Sequence, residues 1–199
     1  MASDTSSLSR APQRQRGRDR VAALMKAAAA LFVERGYDAT TMTEIAARAG
    51  AAIGSLYLFF PTKPALAQAI AASMADDLSA RLDALHARSA GWRPEKIADA
   101  LFGELSLFLA AHPAYGVLID VPGDDSWRDA VRARRRAQIA ALFSQAEPTL
   151  PAGQSDRLAV IVPQLIRIAT VSSVDARSRD GILEELRAML RHHLAHPAP

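Results

Sequence analysis

The 199-residue chain contains no cysteine. Disulfides, thiolate metal sites and cysteine nucleophiles are therefore excluded, which fits a reducing cytoplasm. Strand signals are missing as well: no β-branched run alternates with polar residues, and no Asn-Gly turn occurs. The longest apolar stretch, about 158–171, is interrupted by Pro163, Gln164 and Arg167. It is too short and too polar to span a bilayer. Residues 1–20 are rich in Ser and Arg but lack the apolar segment of a signal peptide. No Gly-x-Ser-x-Gly elbow is present, and Asp76-Asp77 and Asp124-Asp125 read as a solvated face and a helix cap. These absences describe an intracellular, cytoplasmic, all-α protein that is not an enzyme.

What is present is hydrophobic and helical. Hydrophobic residues make up 50% of the chain, enough for one sizeable core or a small domain plus a larger one. The net charge of +3 is unevenly spread: residues 1–66 carry nine Lys/Arg and five Asp/Glu, and the remainder is close to neutral. Periodicity and caps predict about nine helices. Residues 1–17 read as a disordered basic arm and helix 1 as about Asp19–Arg35, with Val21, Leu24, Ala28, Leu31 and Phe32 inward. Helix 4 is expected from Lys63 to about Ser89, capped by Thr62; at 1.5 Å per residue it spans roughly 40 Å, enough to join two domains. Pro94 opens helix 5 and His112-Pro113 closes it. A short segment, 114–120, ends at Pro122-Gly123. Helix 7 follows from a cap at Asp124–Ser126 to about Gln145, helix 8 covers about 154–174, and helix 9 starts at Ser178 or Asp180.

Residues 32–63 carry the most specific signal. Thr41-Met42-Thr43-Glu44 is a capping box that starts a short helix, and Gly50 ends it. A second short helix begins at Ile53 with Ile53, Leu56 and Phe60 at helical spacing. Two short helices around a Gly-containing turn form a helix-turn-helix, which lays its second helix in the DNA major groove. The ordered set Ala28-x-x-Leu31-Phe32, Gly36-Tyr37, Thr40-Thr41, Glu44-Ile45-Ala46, Ala49-Gly50, Gly54-Ser55-Leu56-Tyr57, Phe60 and Lys63 resembles the TetR family of bacterial regulators. The resemblance covers about residues 21–66. It implies a helix-turn-helix domain over 18–66, a ligand-binding and dimerisation bundle over 67–199, and DNA contacts at Thr41, Thr43, Ser55, Tyr57 and Lys63. Ile53 can meet a thymine methyl, and Gly54 permits close approach to the groove. The chain departs from the family at Ala52, where relatives often carry a Ser or Thr cap, and at Leu58 and Phe59, where they often carry polar residues. Arg10, Arg14, Arg16, Arg18 and Arg20 form either a minor-groove arm or a solvated tail.

A ligand site has to come from helices 4 to 8. Its candidate residues are Phe102, Leu105, Phe108, Tyr115 and Trp127 as walls, with His112, Gln164 and Arg167 as polar groups within apolar helices. For Arg167 a salt bridge to Glu104 or Asp175 is the structural alternative. Arg132 and Arg134–Arg136 read as a solvated face. His192 and His196 share a helix face, but no carboxylate or cysteine completes a metal site, so neither metal nor cofactor is expected. The expected function is a repressor released from a palindromic operator by a small apolar effector, working as a homodimer through helices 8 and 9. The alternative is a helical carrier of hydrophobic ligands whose DNA motif is vestigial.

Overall fold

The computed structural model describes residues 10–118, 121, 124–169 and 175–196. Among them nine α-helices form and no strand. They are α1 (Arg10–Arg35), α2 (Met42–Arg48), α3 (Ile53–Phe59), α4 (Lys63–Arg88), α5 (Pro94–Ala111), α6 (Tyr115–Leu118), α7 (Asp125–Ser144), α8 (Gln154–Ala169) and α9 (Ala176–Ala195). The all-α expectation holds, and most expected ends hold within a residue or two. Helix 1 differs, because it begins nine residues earlier than the apolar pattern suggests. Residues 10–17 are helix rather than arm. Gln and Arg favour helix, and Pro12 falls in the first turn, where an amide has no helical partner. Gln15 also donates to Asp19 at 2.7 Å, and Arg18 to Gln15 at 3.0 Å. The expected disorder of residues 1–9, the Pro122-Gly123 break and the last expected residues of helix 8, Val171 included, lie outside the described residues.

The caps explain the boundaries. The Thr41 hydroxyl accepts from the Glu44 amide while the Glu44 carboxylate accepts from the Thr41 amide, completing the capping box. Gly50 takes φ +62, a left-handed conformation that ends α2. Thr62 caps α4 through the Ala65 amide, and Asp124 caps α7 through Ser126 and Trp127. α9 is capped by Asp175, which accepts from Ser178, so the helix starts two residues before Ser178. α3 has no side-chain cap at Ala52.

α4 is the spine of the molecule. Its buried residues Leu66, Ile70, Met74, Leu78, Leu82 and Leu85 join the α1–α3 core (Leu24, Phe32, Ile45, Leu56) to the rest in one continuous apolar cluster. α1 packs on α2 and on α4, while α5 and α7 pack further along α4. α9 lies on α5, and α8 lies on α7. Polar groups fix these seams. Gln138 of α7 reaches Ser79 and Asp83 of α4, and Gln145 reaches His86 and Ser89. Between α4 and α5, Asp77 binds both Arg81 and His112 at 2.9 Å, and Glu104 accepts from Arg88 at 2.7 Å. Among the described residues no helix is long and apolar enough to cross a membrane.

Candidate functional site

Two features carry functional chemistry: the outer face of α2–α3 and a cavity beside α4. On the first, Ile53, Gly54, Tyr57, Leu58 and Phe59 are exposed, and only Leu56 is buried. Leu58 is the most open of them, at 78%. Thr43 is exposed, and neither its hydroxyl nor that of Tyr57 is engaged by another described residue. Ser55 is approached by the Arg20 guanidinium at 3.5 Å, which brings the basic turn of α1 against α3. Arg35 pairs with Glu44, and Arg48 pairs with Glu34 through both nitrogens, locking α2 against α1.

Two residues expected to meet phosphates are already committed within the chain. The Thr41 hydroxyl donates to Glu44 at 2.8 Å while accepting from its amide, so its proton serves the cap. The Glu44 carboxyl is held below the usual range first by the Thr41 amide, then by the Thr41 hydroxyl. Lys63 spends all three ammonium protons on the carbonyls of Tyr37 (2.9 Å), Asp38 (3.2 Å) and Thr40 (2.9 Å). Its ammonium also lies 4.4 Å from the centre of the Tyr37 ring. Lys63 therefore pins the α1–α2 turn to the first residue of α4. Nothing in the periodicity of the sequence distinguishes this role from a phosphate contact.

The cavity, about 150 Å³, is bounded by α4, α6, α7 and α8. α5 does not reach it. Tyr115, Trp127, Gln164 and Arg167 line it as expected, together with Pro64, Ala67, Gln68, Ala71, Met74, Leu118, Val121 and Val131. Phe102, Leu105 and Phe108 do not. They are almost wholly buried in the core, where Phe108 meets the Tyr115 ring edge-on at 5.1 Å. His112 lies in the Asp77 network instead, and Glu104, one partner considered for Arg167, accepts from Arg88 and faces Arg81. The Asp77 carboxyl is lowered, first by its hydrogen bond from Arg81 and then by the one from His112.

The largest departure from expectation is electrostatic. Arg128, Arg132, Arg135 and Arg136 of α7 line the cavity with Arg167, and among the described lining residues the one carboxylate is Asp124. Three of these four belong to the cluster read from sequence as a solvated face. Only Arg134 of that cluster turns away, toward Asp76 at 3.6 Å. The signal was available as basic residues at 128, 132 and 135 interleaved with Trp127 and Val131, one helical face rather than a run. A second recess of about 250 Å³ follows the α4–α7 seam and shares Ala75, Trp127, Val131 and Arg135 with the first. Among the described residues no group of three or more His, Asp and Glu side chains is placed to hold a metal ion, and the His192/His196 pair belongs to no such group.

Residues 24–70 match the family model for bacterial regulatory proteins of the tetR family. No curated protein sequence matches the chain. Among solved structures, a TetR/AcrR-family transcriptional regulator of Thermobifida fusca YX-ER1 is 24% identical, covers 87% of this chain and 97% of its own, and superposes with a TM-score of 0.66. A TetR-family regulator of Streptomyces coelicolor is 22% identical over 92% of this chain and 99% of its own, with a TM-score of 0.64. The ketosteroid transcriptional regulator KstR2 of Mycobacterium tuberculosis is 22% identical over 87% and 93%, with a TM-score of 0.63. At these identities the superpositions establish the shared fold. Residues 24–70 thus match the tetR-family DNA-binding model, and the chain as a whole shares the fold of the solved TetR-family regulators.

Proposed function

We propose that this protein is a ligand-responsive repressor that binds a palindromic operator as a homodimer in the cytoplasm. Residues 18–66 form the DNA-binding domain, and residues 67–199 form the effector-binding and dimerisation domain. In the dimer, the α3 helices enter successive major grooves roughly 34 Å apart. Ser55 and Ile53 read base edges, and Thr43 and Tyr57 position the helix on phosphates. Gly54 fits the same reading, because a side chain there would meet nothing within 4 Å in the free protein. Its small size leaves room for DNA rather than for packing.

One observation carries the ligand-responsive part. The cavity reaches Pro64 and Ala67 in the first turn of α4, and Lys63 of that turn holds the DNA-binding domain through Tyr37, Asp38 and Thr40. An occupant that favours one position of this turn biases the orientation of α3 and thereby releases DNA. A gel shift on the DNA upstream of the protein's own gene, repeated across salt concentrations, tests the reading. Binding that weakens steeply with salt is expected. Absence of binding would leave a ligand carrier with a vestigial DNA motif, the reading that the exposed Leu58 and Phe59 favour.

A further inference from the structure

We propose that the cavity takes an amphipathic anion, with a carboxylate or phosphate held by Arg128, Arg135 and Arg136 and a body about the size of one ring beside Met74, Leu118 and Val131. The proposal rests on the reading of this cavity as the effector site, and it adds an anionic group to the small, largely apolar effector expected from sequence.

Charge is the first reason. Four guanidinium groups of α7 line the cavity, and Asp124, the one carboxylate among its described lining residues, is occupied in capping α7. Arg128 and Arg132 are four apart on α7, as are Arg132 and Arg136, a like-charge spacing that destabilises a helix. Internal pairing relieves little of this. Arg132 meets Asp129 at 2.9 Å, an exposed i,i+3 pair of small worth, and the half-buried Arg128 only approaches the exposed Asp125, at 3.8 Å. Arg135 is half-buried, and its bond is to the neutral Tyr115 hydroxyl at 3.1 Å, with no described carboxylate facing it. Arg136 meets no described acid. An anion supplies the missing countercharge, and the planar guanidinium fork suits the paired oxygens of a carboxylate or phosphate.

Size and polarity supply the second reason. An apolar cavity of roughly 150 Å³ holds a benzene-sized body. Here the apolar walls and the arginines are interleaved along the same face of α7, so one occupant meets both. Tyr115 orients Arg135 toward this space from α6.

The test is calorimetric titration of the full chain with benzoate, phenyl phosphate and the neutral isostere benzamide at millimolar concentration. One or both anions should bind, and benzamide about tenfold more weakly or not at all. Which anion binds tighter tells a carboxylate effector from a phosphate one. Arg135→Met should lose about tenfold in anion affinity, whereas Arg191→Met, on α9 and outside both recesses, should not. Val131→Trp, which fills the space, should abolish binding. Equal affinity for benzamide and benzoate overturns the anion assignment and leaves the cavity as effector site. Failure of both anions to bind overturns the assignment outright. Arg135-dependent binding that leaves the gel shift unchanged supports the anion site and removes the effector reading.

Discussion

Lys63 shows how one side chain can carry a family's DNA-contact signature while doing structural work. Its ammonium bridges three carbonyls of the α1–α2 turn. Lys63→Met keeps an apolar stem beside Tyr37 but strands those acceptors, and should cost about 2 kcal/mol. In a protein of this size that is a fall in melting temperature of roughly 4–8 °C. A pure phosphate ligand would instead leave melting unchanged and reduce the salt slope by about 1, so calorimetry beside a salt titration decides. Arg20 should behave in that second way. It sits against Ser55 at the edge of α3, and Arg20→Ala should weaken binding to all sequences alike. Ser55→Ala should relax preference at one base, read by comparing affinities for operators altered one position at a time. The capping box adds a pH dependence. Because the Glu44 carboxyl is lowered in the folded chain by Thr41, its contribution is complete above the ordinary carboxylate value and is lost as pH falls through the lowered one. Acid should therefore loosen α2, and Thr41→Ala, which costs roughly 1 kcal/mol, should shrink that acid sensitivity in circular-dichroism melts. The Thr41–Glu44 box was legible because it is local. The commitment of Lys63 was not, because its acceptors lie more than twenty residues away.

At the scale of the element, apolar stripes alone left open which face of a helix meets its own chain. The extension of α1 was missed because residues 10–20 have no apolar stripe, only helix-forming polar side chains tied at three- and four-residue spacing. On α9, Leu183, Leu186, Leu190 and Leu194 are buried within the chain, where α9 packs on α5. An Arg at Leu186 would disrupt the monomer's own core and says nothing about assembly. Among the described residues of α8 and α9, the large apolar side chains left exposed are Val160, Ile161 and Ile168 on α8 and Met189 on α9. We propose these residues as the surface of a homodimer, since a two-fold axis lets one such patch cover its copy. Ile168→Arg should give a folded monomer with an unchanged far-ultraviolet circular-dichroism spectrum and much weaker operator binding. Sedimentation of the parent protein at micromolar concentration as a monomer would refute the interface. The cavity walls were hidden by the same ambiguity. Phe102, Leu105 and Phe108 share the apolar periodicity of α5 with core residues, and only the seating of α5 away from α8 decides that they close the core instead of opening onto a ligand.

For the whole molecule the decisive relation is that α4 packs against α1 at one end and against α5, α6 and α7 along the rest of its length. Its first residue, Lys63, holds the α1–α2 turn, the cavity opens along Pro64 to Ala75, and Gln138 of α7 and Gln145 just beyond it clamp the later part of α4. α7 thus carries the arginines that line the cavity, and α7 with its C-cap residue carries the amides that grip the spine, so under the proposed reading an anion that shifts α7 also shifts α4. A coupling of ~3 kcal/mol between the two sites would weaken operator binding roughly a hundredfold. Linkage requires the reverse effect to be equal: operator DNA must weaken anion binding by the same factor. This equality can be measured. Calorimetry gives the anion dissociation constant with and without saturating operator, and anisotropy of labelled operator gives the DNA constant with and without saturating anion. Equal ratios well above one are expected for the parent protein. Lys63→Met, which frees the α1–α2 turn from α4, should bring both ratios toward one while leaving anion affinity in the free protein intact. If the ratios stay equal and large in that variant, the coupling does not run through the first turn of α4, and a rearrangement at the dimer surface becomes the route to consider.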